Sequence, residues 1–587
     1  MKKNLLLVAT ALMAGSSAVA QWSSNSAENM LAWPEENGNF YYNEMGKTSD
    51  GGAWVVINHP GPNHDRVCTS VQLIDSAGNY KFEEPLLVSD YPSRTWTTFG
   101  QVLFVDRDDN AIVAVYDERY NTGANGSEES YSVYKITPDG EFPWGRDGIA
   151  LEGEKVYNYA VSMNMCQMAD GSYVLAWTHT YEVDAYKPFA LEMQRISPEG
   201  AMLWDPETVR MYEKNGSFQY PFVVDGGNNQ VILLYAKGTA MDYYARKLDF
   251  DGTPVWSEDT RVYNGGWGTI PPWTLINVYP SGDGGAIMSW DDDRYFTQVE
   301  SAYLAYIKPN GELGFSSENG QKMAYNDWRQ MRVNSFYDKA SDAFYGIWVE
   351  FSGGQSWSRV MAQKFSKEGE LLWGENGIEL KPMEQTKYSY TSIQNSINDE
   401  VAFFYMRAYD PTAQNVEAFV TTVNVNDTTI RREFEFTKGD RISPKSDLET
   451  LPLHDGKYWI AKWTDQGAQT DEVNKDRLMI QRVNVDFTLG NPNADQAVEG
   501  VQADADAFVA LATLVENEAM FATNFATATQ ATLAIYDING ALVATPFEGE
   551  LAAGRQYIEW SANVPAGIYL ATLTTANSVE TVKLLVK

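Results

Sequence analysis

The residues best able to do chemistry in this chain are acids in short runs, Asp291-Asp292-Asp293-Arg294 and Asp117-Glu118-Arg119. Clustered carboxylates could ligate calcium, which takes about six to eight oxygens. The reading that fits both runs is structural. They fall at one position of a repeat set out below, where an Asp–Arg pair would fix a strand-connecting loop. Asp249-x-Asp251-Gly252 has the opening of a calcium loop without the rest, and it coincides with a turn of the same repeat. Glycoside hydrolysis needs two carboxylates about 5–10 Å apart, but with 79 acidic residues the sequence nominates no pair. His59, His64, His179 and His454 are scattered, and Gly-x-Ser-x-Gly, P-loop, His-Glu-x-x-His and Cys-x-x-Cys motifs do not occur. Cys68 and Cys166 could pair or stay as separate buried thiols; the sequence leaves both open. No catalytic, cofactor-binding or metal-ligating residue is nominated, and no cofactor is expected.

The charge balance narrows the partners. With 44 basic and 79 acidic residues the formal charge is −35, the wrong sign for nucleic acid or an anionic membrane surface. A hydrophobic fraction of 44% and an aromatic fraction of 13% give the chain ample material for a packed core. Lys2 and Lys3, an apolar stretch from Leu5 to Met13, and Ala18-Val19-Ala20 read as a signal peptide over residues 1–20, cleaved between Ala20 and Gln21. No later stretch is long and apolar enough to span a bilayer. The expected location is outside the cytoplasm, secreted or on the outer-membrane surface.

The elements that must position any site come from an internal repeat. A turn followed by a strand begins at Gly51, Asn110, Gly171, Asn229, Gly285, Asp342, Glu400 and Gly456, a period of about 58 residues. Near the end of seven of these strands stands an aromatic: Tyr116, Trp177, Tyr235, Trp290, Trp348, Tyr405 and Trp463. Further along each repeat a turn glycine is followed four residues on by another: Gly78/Phe82, Gly140/Trp144, Gly200/Trp204, Gly252/Trp256, Gly311/Phe315 and Gly369/Trp373. Five residues before that glycine, or its equivalent, there is often a base, as at Lys135, Arg195, Lys247, Lys364 and Arg482. Alternating Val/Ile/Tyr/Trp runs between Asp-Gly, Glu-Gly and Asn-Gly turns are strands. Some 58 residues hold four of them, one blade of a β-propeller. The fold predicted for residues 22–490 is an all-β propeller of eight four-stranded blades, or seven if an end repeat is split to close the ring. The fixed aromatics are then inter-blade packing.

Composition shifts near residue 491 to Ala, Asn, Asp and Gln, which reads as a linker over 491–505, and short strands with an Asn-Gly turn follow. Residues 506–587 are predicted to form a small Ig-like β-sandwich. There Ile535-Tyr536-Asp537-x-x-Gly540, Gly567-Ile568-Tyr569 and the terminal Lys583-Leu584-Leu585-Val586-Lys587 resemble the type A C-terminal sorting domain of the Bacteroidetes type IX secretion system. The resemblance implies export by that machinery as a partner, removal of this domain, and release or attachment to surface lipopolysaccharide. The repeat resembles a family too. Met361-Ala362-Gln363-Lys364-Phe365 leading to Gly369-Glu370-Leu371-Leu372-Trp373-Gly374, and Tyr134-Lys135-Ile136 leading to Gly140 and Trp144-Gly145, are similar to the Tyr-Ala-Gln-Arg-Ile…Gly-x-x-Leu-Trp-Gly repeat of secreted, sorting-domain-bearing Bacteroidetes proteins. That likeness implies a propeller and says little of activity.

The function these readings lead to is a secreted or surface-displayed binding platform for a glycan or a protein, with the ligand on one propeller face. A polysaccharide hydrolase or lyase on the same scaffold, and a structural component of the cell surface, are the rival readings. Asp, Glu, Arg and Tyr converging at the channel mouth would favour an enzyme. An aromatic-lined face without perturbed acids would favour a binder.

Overall fold

The structure, a computed structural model, describes most of residues 22–491 and 507–587; it leaves out 1–21, 34–41, 62–66, 92–98, 121–129, 152–159, 181–188, 265–275, 409–414, 439–443, 466–476, 492–506 and several shorter stretches. The signal peptide with Ala20 and Gln21, the linker beyond Asn491, and His64 lie outside the described residues. The chain divides into two compact units, Met1–Asn491 and Pro492–Lys587.

The first unit is all β. Its described strands form eight four-stranded sheets. Blade 1 shows the pattern, with strands Tyr42–Lys47, Ala53–Pro60, Val67–Ile74 and Leu86–Ser89 paired in chain order and antiparallel. Eight hydrophobic clusters fill the spaces between sheets, each shared by two consecutive blades, and one joins blade 8 to blade 1. The sheets therefore close into a ring. The closing strand is Met30–Leu31, which pairs with Ile480 and Met479 and is the outermost strand of blade 8. An end repeat is thus split, as anticipated for a seven-bladed ring, yet the count stays at eight. Blade 3 departs from the pattern. Its fourth strand is Phe99–Gly100, parallel to the inner edge of Ala160–Gln167, while Met211 makes only a single bridge to Leu191 on the outer edge.

The recurring residues are the ones that join the blades. Trp177, Tyr235, Trp290, Trp348, Tyr405 and Trp463 are at most 2% exposed and pack against the preceding blade. Tyr116 differs: it faces blade 3, because Val115 takes the register that points back to blade 1. The second marker is a latch. The indole Nε1 of Trp144 donates to the Pro198 carbonyl at 3.1 Å, that of Trp204 to Phe250 at 2.9 Å, and that of Trp256 to Pro309 at 3.1 Å. The bases Lys135, Arg195 and Lys247 donate to those same three carbonyls. Indole and cation of one blade therefore hold one carbonyl in the turn of the next. Each turn needs its glycine because φ there is +83 to +97° at Gly78, Gly140, Gly200, Gly252, Gly311 and Gly369, a region that side chains avoid. Buried glutamines complete the turn. Gln72, Gln194 and Gln363 accept the backbone N–H of Phe82, Trp204 and Trp373 at 3.2, 2.9 and 3.0 Å.

The second unit is a two-sheet sandwich. Ala507–Ala510, Glu518–Phe525 and Gly554–Ser561 form one sheet; Leu514–Val515, Thr529–Asp537, Leu542–Leu551, Gly567–Thr575 and Val579–Val586 form the other. Phe521, Leu533, Ile535, Trp560, Ala571 and Leu584 are among the residues of the core they share. Its Asp537-Ile538-Asn539-Gly540 turn is closed by Asp537, whose carboxylate accepts the N–H of Asn539 at 2.9 Å and of Ala541 at 2.8 Å.

Candidate functional site

Strand order gives the ring two unlike faces. Turns between first and second strands and between third and fourth strands lie on one face, where the latches occupy them. Connections between second and third strands, and from one blade to the next, lie on the other. Most of the exposed aromatic rings among the described residues lie on one of the two faces. Tyr91, Tyr212, Tyr325, Trp328 and Trp357 are on the face of the blade-to-blade connections, whereas Phe250 is on the latched face and Tyr279 is on the innermost strand of blade 5.

Three of these rings belong to blade 6 and its approach. Tyr325 and Trp328 lie between Gln321–Lys322 and Arg329–Asp338, and Trp357 lies between Ala343–Phe351 and Ser358–Phe365. A hollow of about 460 Å³ opens beside Trp357, lined by Gly353, Gly354, Gln355, Ser356, Gln385, Thr386 and Lys387. Amides, hydroxyls and one ammonium supply its polar lining. Beneath the rings sits Glu350, fully buried. Its carboxylate accepts from Asn326 Nδ2 at 2.8 Å, Trp348 Nε1 at 3.1 Å and Arg359 Nε at 2.8 Å. Arg359 also pairs with Glu379 at 3.0 Å and lies 5.8 Å from the Trp328 ring centre. This buried acid is therefore consumed by hydrogen bonds, while Asp327, between Tyr325 and Trp328 in the chain, is exposed.

The acidic runs singled out in the sequence do the same work elsewhere. Asp292 receives Arg294 through two bonds of 2.9 and 2.7 Å and the Trp290 indole at 2.7 Å, and the guanidinium lies 3.4 Å from the Tyr303 ring centre. Asp117 receives Arg119 at 2.9 and 2.8 Å, and Arg119 covers the Tyr91 ring at 4.4 Å. Both are forked pairs of the strong kind that fix a connection. The same position holds Asp465–Arg477 at 3.1 Å in blade 8, and in blade 7 it holds Arg407, which pairs with Glu384 on the outermost strand of blade 6. Sequence reading missed these two because acid and base are not neighbours in the chain. Asp249 and Asp251 accept the N–H of Phe250 at 2.8 Å and Thr253 at 3.0 Å, the bonds of a turn. Among the described residues, no three of His, Cys, Asp and Glu gather in a group that could hold a metal ion. Cys68 and Cys166 are separate buried thiols, and burial pushes the Cys166 thiol up.

Asp291 behaves differently from its neighbour. It is buried, faces blade 6, and accepts the backbone N–H of Arg332. Burial first, then the charge of Glu300, pushes its carboxyl up to about 7. Because the folded value lies above the unfolded one of about 4, Asp291 costs nothing below pH 4 and destabilises as pH rises through 7. A shift of roughly three units corresponds to about 4 kcal/mol at the upper limit. Asp291→Asn keeps an acceptor for Arg332 and is expected to be more stable than the parent at pH 8 and equal to it at pH 4. Melting curves of both proteins across pH 4–8 check this; parallel curves would refute it.

No family model matches the chain, and no curated protein does. Among solved structures, a protein of unknown function from Dyadobacter fermentans is 11% identical, with a TM-score of 0.35, over 58% of this chain and 98% of that one. An α-L-arabinanase of Penicillium chrysogenum is 10% identical at a TM-score of 0.31, over 56% of this chain and 94% of that one. An α-L-arabinofuranosidase of Fusarium graminearum is 10% identical at 0.32, over the same shares. At such scores the arabinose chemistry stays with those proteins.

Proposed function

We propose that this protein is an exported binding platform whose ligand is a glycan held on the face of the blade-to-blade connections. Export would run through the signal peptide over residues 1–20 and the sorting domain over 506–587. The observation that carries the glycan reading is the gathering of three exposed rings, Tyr325, Trp328 and Trp357, at blade 6 beside a polar hollow. Flat aromatic faces bury apolar C–H surface of a sugar ring, and nearby amides and hydroxyls can exchange hydrogen bonds with its hydroxyls. The buried acid beneath the rings, Glu350, is engaged by Asn326, Trp348 and Arg359, so binding is the first reading and hydrolysis, with Asp327 exposed between the rings, the second. The test is retention of the full chain on a panel of immobilised polysaccharides, with mass spectrometry of any released oligosaccharide. Retention without release is expected, and Trp328→Ala with Trp357→Ala is expected to weaken it at least tenfold while leaving the melting temperature unchanged. Release of defined products would replace the binder with an enzyme.

A further inference from the structure

The innermost strands carry a feature that the repeat does not predict. In Phe218–Asp225, Arg329–Asp338, Lys387–Asn395 and Lys445–Thr450, of blades 4, 6, 7 and 8, the pairing slips at one bulge near the start of the strand. Each bulge holds a residue other than glycine at positive φ: Tyr220 at +50°, Arg332 at +60°, Tyr390 at +45° and Asp447 at +58°. Left-handed backbone is costly for such side chains, and strain of this kind gathers at functional sites. The last three stand on consecutive blades. The Arg332 guanidinium lies 5.9 Å from the Tyr390 ring centre, the Tyr390 hydroxyl accepts the backbone N–H of Asp447, and Thr391 Oγ1 holds the Arg332 carbonyl at 2.6 Å.

Arg332 is unusual among the arginines. Most described ones are clamped by a carboxylate, a carbonyl or an amide, as Arg119, Arg294 and Arg359 are. Arg332 is exposed and, among the described residues, its side chain has no ion pair and donates no hydrogen bond; of the others only Arg261, on an outermost strand, is alike. Asp291 accepts the Arg332 N–H and feels the guanidinium's charge, but makes no ion pair or hydrogen bond with it. An exposed guanidinium that donates no hydrogen bond, on an innermost strand of a chain of charge −35, is a donor fork without its acceptor. On the far side of Tyr390, Asp447 is exposed and its Oδ2 accepts the Ser446 hydroxyl at 2.8 Å.

We infer that the bulged inner strands of blades 6, 7 and 8 form a subsite for a carboxylate-bearing sugar, a uronate residue, with its carboxylate on Arg332, its ring on Tyr390 and a hydroxyl on Asp447. The inference rests on the glycan reading above and names the class of sugar. The full chain is offered polygalacturonate and the same polymer after chemical reduction of its carboxyl groups. The parent is expected to bind the uronate form at least tenfold more tightly. Arg332→Asn, a residue that tolerates the left-handed backbone, is expected to bring the two affinities together while leaving the melting temperature unchanged. Equal binding of both polymers by the parent would overturn the subsite and leave a glycan platform. A preference that persists in Arg332→Asn at unchanged stability would also overturn it. Retention of neither polymer, with other glycans retained by the parent, sinks only the uronate subsite; retention of no glycan at all sinks the platform as well.

Discussion

A chain that starts at residue 34 is expected not to form a closed monomeric propeller. Deleting everything up to Trp33 removes the outer strand of blade 8 and, with it, Trp22, Met30, Ala32 and Trp33, all buried in the cluster that joins blades 8 and 1. At about 1.5–3 kcal/mol for each of the three large side chains, the loss is roughly 5–9 kcal/mol, comparable with the whole margin of a typical fold. Hydrogen bonds go as well, from Trp22 Nε1 to Ser76 at 2.8 Å, Ala32 N to Leu478 at 2.7 Å and Tyr80 to the Leu31 carbonyl at 2.7 Å. The deletion also bares the edge of Arg477–Asn484, which invites pairing with another molecule. Gel filtration should show aggregates or oligomers, near-ultraviolet circular dichroism should lose its aromatic signal, and a synthetic peptide of residues 22–33 should restore both. A truncated protein that stays monomeric with an unchanged melting temperature would contradict the closing role of this segment.

The second large effect is expected at Trp348. Truncation to alanine empties a fully buried site between blades 5 and 6 and should cost about 3–5 kcal/mol. The damage goes beyond volume. The indole Nε1 is one of the donors to Glu350, and an under-satisfied buried carboxylate adds its own penalty. Trp348→Phe keeps most of the volume and removes that donor, so it should cost clearly less than the alanine variant but more than Trp328→Ala, an exposed ring whose loss should stay within about 0.5 kcal/mol. Denaturant midpoints for the three variants give the order. If Trp328→Ala proved as damaging as Trp348→Ala, the division between packing rings and ligand rings would fail.

That division marks how far the sequence could be read. Trp290 and Trp348 announce themselves by recurrence, because each blade must present the same bulk to its neighbour. Turn glycines recur because the left-handed backbone at Gly140 or Gly252 disfavours residues with a side chain. Both are constraints on residue type, so they leave a period. The carbonyl latches were legible on the donor side alone: Trp204 and Arg195 stand at fixed positions, but their acceptor is a backbone atom of Phe250, where the side chain is irrelevant. The closing strand was invisible because Met30–Leu31 is two residues long and its partner lies at the other end of the repeat region. Pairs such as Asp465–Arg477 need a hairpin to bring them together. The inner-strand residues left the faintest trace. Arginine, tyrosine and aspartate at positive φ carry no mark of it, whereas glycine would have.

Ring closure alters how blades depend on one another. An open stack of repeats has two end units with only one neighbour each, and such arrays need capping units and fray from the ends. Here eight blades share eight interfaces, and every blade has two neighbours. Unfolding any one of them sacrifices two interfaces at once and leaves its flanks bare, so no blade is a weak point from which loss can start cheaply. A protease that nicks a surface connection would therefore yield fragments that stay associated, with no trimmed ring of seven or six blades surviving as an intermediate.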